Sequence, residues 1–252
     1  MFTIDNTECS TKISIISQNK FEIWLSKQSV FIKNWCISNN FKGEKSKILK
    51  IPYPDGRLKE VVIGEGEHKD LSGVSQFSSS NNGNYYIFSK YAHSSEFEIQ
   101  KAWSWGNYNF KSKFQKNLLF VKNEKELRFL NFYTNTINFS RDLINSPANK
   151  INPLSFYRAI KKSILFKNFN FNEYSLANIK EYFPLTYAVG KSSNIHPKVI
   201  HISNKKILKK DKPLVIIGKG VTFDTGGVNI KPGNSMRNMK KDMGGSSIAL
   251  SL

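Results

Sequence analysis

The chain has 252 residues, 39% of them hydrophobic, and its 38 Lys and Arg outweigh 19 Asp and Glu to give a formal net charge of +19. That length and apolar content suffice for two modest domains with real cores, and no apolar run approaches the roughly eighteen residues of a membrane-spanning helix. Two cysteines, Cys9 and Cys36, are too few for a disulfide framework or a zinc module.

The start, Met1-Phe2-Thr3-Ile4-Asp5, carries neither the basic nor the apolar region of a secretory signal, so the cytoplasm is the expected compartment. The lysines are scattered, in pairs such as Lys161-Lys162, among abundant Asn, Ile, Phe and Ser. That pattern reads as compositional drift of an AT-rich coding sequence rather than a dedicated nucleic-acid face.

Residues 1–140 are expected to alternate short strands and helices in a smaller α/β domain. Ile13-Ser14-Ile15-Ile16 and Phe21-Glu22-Ile23-Trp24-Leu25 read as strands, as do Ile48–Ile51 and Val61–Ile63 on either side of the turn Pro54-Asp55-Gly56-Arg57. A polar loop over Ser78–Asn84 precedes a strand at Tyr85–Phe88. Phe97 to Gly106 reads as a helix stopped by its glycine, with aromatics at core spacing. A longer helix runs from Glu124 to Asn145, ahead of Ser146-Pro147.

Residues 141–252 read as the first part of a second α/β domain, a mostly parallel sheet covered by helices. Asn152-Pro153 opens a helix over Leu154–Lys167, followed by a short strand at Phe169–Phe171 and a helix over Ser175–Tyr182. Tyr187–Gly190 reads as a turn, Lys198–Ile202 as a strand, and Pro213–Ile217 as a buried parallel strand. Ligands in such sheets gather at the carboxyl ends of strands.

The segment after that last strand is unlike an ordinary loop. Seven of the fifteen glycines lie from Gly218 to Gly245, and Asp224 and Asp242 are the only acidic residues among them. A phosphate loop needs a glycine five positions before Gly218, and a dinucleotide fingerprint needs one where Phe223 stands, so both fail. His68, His93, His196 and His201 are dispersed and form no i, i+4 zinc pair. A metal site here must use oxygen ligands and a deprotonated amine, from Asp224, Asp242 and Lys219. The same aspartates equally fit a plainer role as turn or helix caps.

The stretch Gly218-Lys219-Gly220-Val221-Thr222-Phe223-Asp224-Thr225-Gly226-Gly227, with Ile230-Lys231-Pro232 and Met239 through Asp242-Met243-Gly244-Gly245, resembles the signature of the leucyl (cytosol) aminopeptidase family. Arg141–Asn149, Ala188–Ser193 and Trp105–Phe110 carry weaker similarity. The resemblance implies a dinuclear-metal aminopeptidase acting on peptides with leucine-like amino termini, with two divalent ions, manganese or zinc and alternatively magnesium. It implies Lys219 and Asp242 as ligands of one ion, Asp224 as a bridge to the other, Lys231 as the stabiliser of the oxyanion and Met239 in the substrate pocket. It further implies a hexameric ring for the full-length enzyme.

The family's second metal-binding motif, Asn-Thr-Asp-Ala-Glu-Gly-Arg, does not occur in residues 1–252. The expectation is therefore the front portion of a truncated or split aminopeptidase, inactive by itself. The alternative is a non-catalytic remnant that binds nucleic acid or another partner.

Overall fold

The computed structural model describes residues 1–5, 10–110, 117–205 and 212–252, so Cys9 lies outside the described residues. The chain divides into two compact units, Met1–Asn135 and Thr136–Leu252.

In the first unit, β1 (Phe2–Thr3), β2 (Thr11–Ser17), β3 (Ile48–Pro52), β4 (Leu58–Gly66), β5 (Gly83–Tyr91) and β6 (Asn117–Phe120) form one sheet ordered β1-β6-β5-β2-β4-β3. Every neighbour pair is parallel except β3 with β4, the hairpin around Pro54–Arg57. The central strands are apolar on both faces because both faces are covered. Ile13, Ile15, Val61 and Ile63 pack against Val74 and Phe77 of α3 (Ser72–Ser80) and against Ile99, Ala102 and Trp103 of α4 (Glu96–Gly106). On the other face Ile16, Leu49, Ile51 and Val62 meet Phe21 and Trp24 of α1 (Phe21–Ser26) and Ile32 and Cys36 of α2 (Val30–Ser38). This is the expected α/β class, and the mostly parallel, helix-covered sheet expected of residues 141–252 is formed in this unit.

Two expectations in this unit are corrected. Phe21–Leu25 is helical, not a strand: Phe21 and Trp24 are buried while Ile23 stays half exposed, the three-residue spacing of a helix face. Ser78–Ser80 close α3 rather than open a loop, since Val74, Phe77 and Ser78 share its buried stripe.

α5 (Glu124–Asn145) leads into the second unit, where α6 (Pro153–Lys162) begins with a reciprocal cap. Asn152 Oδ1 accepts from Ser155 N at 2.9 Å, Ser155 Oγ accepts from Asn152 N at 2.8 Å, and Pro153 takes the first helical position. β7 (Phe169–Glu173) pairs with β8 (Ile200–Asn204) antiparallel. Between them lie α7 (Leu176–Tyr182), capped by Ser175, and α8 (Pro184–Gly190), which takes in the Tyr187–Gly190 segment expected as a turn. Leu143, Phe156, Ile160, Phe166 and Met243 form the unit's core.

Pro213–Ile217 is not a strand and is not buried. Leu214 and Ile217 are 88% and 90% exposed, and the run pairs with none of the described strands. A parallel strand is held by neighbours on both edges and a covered face, and β-branching alone cannot substitute for them. No helix among the described residues is long and apolar enough to cross a membrane.

Candidate metal centre

The five residues singled out by sequence lie on two loops and a short helical turn of the second unit. The first loop leaves Gly218, holds Lys219 and Asp224, and then reverses direction. Four consecutive residues, Gly226, Gly227, Val228 and Asn229, have φ of 79°, 83°, 51° and 59°. That left-handed run returns Lys231 N to Thr225 O at 2.9 Å. Gly226 is required twice over, because a side chain there is strained by φ and a Cβ would lie 2.8 Å from Ile230 Cγ2 and Lys231 Cγ.

The reversal sets the Lys231 ammonium on Asp224. Lys231 Nζ donates to Asp224 Oδ2 at 2.6 Å, and Asp224 Oδ1 accepts from Gly226 N at 2.8 Å. The Lys231 hydrogen bond first, then the Gly226 amide and the charges of Lys231 and Lys219, hold the Asp224 carboxyl below the usual carboxylate range. Lys231 Nζ also lies 3.1 Å from Met239 Sδ, so Met239 abuts this ion pair.

Asp242 follows α9 (Gly233–Met236) and a single-turn helix over Arg237–Lys241, and precedes α10 (Gly244–Ala249). Its Oδ1 forms an ion pair with Lys219 Nζ at 3.0 Å. Its Oδ2 is buried and has no hydrogen-bond partner among the described residues. The two segments touch through backbone: Ser246 N donates to Lys219 O at 2.8 Å, and a Cβ on Gly218 would stand 2.4 Å from Gly245 O.

The five residues thus form two contact groups, Lys219 with Asp242 and Lys231 with Asp224 and Met239, and the charge of Lys219 acts on Asp224. Among the described residues no three His, Cys, Asp or Glu side chains converge as a metal cage. The donors present are two carboxylates and two amines, and the orphaned Asp242 oxygen is the atom that fits a cation. A further contact, outside the sequence reading above, completes the neighbourhood: Lys240 Nζ donates to Asn145 O at 3.1 Å.

The catalytic-domain model of the cytosol aminopeptidase family matches residues 138–252, and the M17 aminopeptidase N-terminal domain model matches residues 11–122. The chain belongs to the cytosol aminopeptidase family. It is 30% identical over 239 residues to a probable cytosol aminopeptidase of Aquifex aeolicus, an alignment covering 84% of this chain and 48% of that protein. It superposes on the cytosol aminopeptidase of Coxiella burnetii with a TM-score of 0.84 at 25% identity, over 99% of this chain and 56% of the other. It shares the fold of the bottromycin maturation enzyme BotP, solved in complex with Mn, with a TM-score of 0.71 at 18% identity, over 97% of this chain and 55% of that one. The chain spans about half the length of the Aquifex relative.

Proposed function

We propose that this chain carries the amino-terminal domain, residues 1–140, and part of the catalytic domain, residues 141–252, of a dinuclear-metal aminopeptidase. The enzyme would release leucine-like amino-terminal residues from peptides in the cytoplasm, as a hexameric ring when full length. The observation that carries this reading is the buried Oδ2 of Asp242, unpartnered among the described residues, on a carboxylate paired with the Lys219 ammonium. A carboxylate oxygen taken from water without a donor is costly, and a divalent cation is the partner that removes that cost.

Lys219, as its neutral amine, and Asp242 would hold one ion, and Asp224 would bridge to a second. Bound ions of this kind polarise a scissile carbonyl and generate the nucleophile from water at neutral pH. The Lys231 ammonium would donate to the oxygen that gains negative charge as the carbonyl is attacked. Met239, 3.1 Å from the Lys231 nitrogen, lines the pocket for the side chain of the residue being released. Manganese, present in the fold relative BotP, is the ion to try first, ahead of zinc and magnesium. Residues 1–252 alone are expected to hydrolyse little, since the resemblance assigns further metal ligands to a motif, Asn-Thr-Asp-Ala-Glu-Gly-Arg, that they do not contain.

Titration with Mn²⁺ followed by electron paramagnetic resonance tests the ligands. Asp242→Asn is expected to weaken binding at least tenfold, and equal binding by the two proteins would sink the metal assignment. Leucine p-nitroanilide hydrolysis with Mn²⁺ tests Lys231, because any turnover must disappear in Lys231→Ala.

A further inference from the structure

The carboxyl end of α5 lacks a cation of its own. A helix leaves its last carbonyls without intrahelical partners and carries partial negative charge there, so basic residues are favoured in the last turn. The last turn of α5 has none. One terminal carbonyl, Asp142 O, is capped locally by Ser146, from its backbone N at 3.0 Å and its Oγ at 2.7 Å. Another, Asn145 O, accepts instead from Lys240 Nζ at 3.1 Å, across 95 positions of sequence.

Lys240 stands two residues before Asp242, and the backbone between them is a tight turn in which Asp242 N donates to Met239 O at 3.1 Å. On the other side of Asp242, Met243 is fully buried in the core that contains Leu143 and Ile144. A Cβ on Gly244 would sit 3.9 Å from Ile144 Cδ1, ordinary contact. Asp242 is therefore bracketed by two anchors on the same helix end, one polar and one apolar. With only the apolar anchor the turn can rock about Met243, and Asp242 Oδ2 moves with it.

We infer that Lys240 is a positioning residue, which fixes Asp242 for metal binding by clamping its turn to the C-terminal carbonyl of α5. This rests on the reading of Asp242 as a metal ligand. Partners that orient a ligand without touching the metal typically contribute 10–100-fold in metal affinity.

The test compares Lys240→Met, which keeps the aliphatic stem and loses the donor, with Lys240→Arg, which restores a donor and charge. Mn²⁺ affinity of the full chain is expected to fall about tenfold in Lys240→Met and to return to within about threefold of wild type in Lys240→Arg. Amide exchange at Asp242 and Met243 is expected to speed up in Lys240→Met and to recover in Lys240→Arg. Unchanged affinity and exchange in Lys240→Met overturn the inference, as does equal loss in both variants. If Asp242→Asn binds Mn²⁺ like wild type, the metal reading fails separately, and the exchange comparison still decides whether Lys240 holds the Asp242 turn.

Discussion

Gly218→Ala probes whether the Lys219 and Asp242 segments must touch through backbone. The added Cβ would stand 2.4 Å from Gly245 O and 2.5 Å from Ser246 Cα, both main-chain atoms that no rotamer change can move. Relief to ordinary contact, about 3.5 Å, requires the segments to part by about 1 Å. The bond from Ser246 N to Lys219 O, now 2.8 Å, would stretch to about 3.8 Å and cease to be a hydrogen bond. Overpacking of this kind costs about 1–3 kcal/mol, and the lost bond adds about 1 kcal/mol. Since each ~1.4 kcal/mol is tenfold, exchange of the Ser246 amide should accelerate roughly 30-fold or more. Gly220→Ala is the control, because its Cβ meets only Ser246 Oγ at 3.6 Å and Ser246 Cβ at 3.7 Å. Hydrogen exchange resolved at Ser246, run beside a Mn²⁺ titration, reads both effects. Wild-type protection in Gly218→Ala, or equal loss in the two variants, would refute the close-approach argument.

The first unit offers two independent checks. Asp70 has its carboxyl pulled down to about 2, by the Lys45 hydrogen bond first and then by Ser72. A depressed folded pKa stabilises above the ordinary carboxylate range and is lost as pH falls from roughly 4 to 2, so Asp70→Asn should flatten acid destabilisation in that window. An unchanged acid limb in urea titrations at stepped pH counts against the pairing. Phe77 is fully buried, with ring centroids 5.2 Å from Tyr85 and 6.3 Å from Trp103. Phe77→Ala should cost about 3–5 kcal/mol by tryptophan-monitored unfolding, which reports on the first unit because Trp24, Trp35, Trp103 and Trp105 all lie there; a loss below about 1 kcal/mol contradicts the packing.

The sequence was most legible where local and tertiary demands agree. Ile13–Ile16 reads as a strand and is one, buried on both faces by helices, and Asn152-Pro153 marks the start of α6 through a cap made within four residues. Phe21–Leu25 misleads because Phe21, Ile23 and Leu25 alternate like a strand while Phe21, Trp24 and Leu25 follow a helix, and only the sheet above decides between them. Pro213–Ile217 carries every intrinsic mark of a strand and lacks the neighbours that make one. The candidate site could be proposed from sequence because its residues fall within one stretch, Lys219 to Asp242, with glycines marking the close approaches. Lys240 could not, because its significance depends on a helix end far away in sequence. The signal available for it was an α5 last turn without a basic residue.

The pairing of amines with carboxylates also decides which substitution gives a clean metal test. Lys219 is 60% exposed on its side chain, so neutralising Asp242 leaves an ammonium that water can still solvate. Asp242 is 18% exposed on its side chain, and its Oδ2 lacks a partner among the described residues, so an amide of the same shape meets much the same surroundings. The penalty of an uncompensated buried charge therefore does not arise in Asp242→Asn. Asp224→Asn differs, since Lys231 Nζ and Gly226 N both donate to its oxygens and an amide nitrogen would face one of the donors. Asp242→Asn should unfold within about 1 kcal/mol of wild type while losing Mn²⁺, whereas Asp224→Asn should lose both the ion and order in the reversal at Gly226–Asn229. Circular dichroism melts beside the Mn²⁺ titrations separate the two, and a strongly destabilised Asp242→Asn would mean that its carboxylate serves the fold rather than a metal.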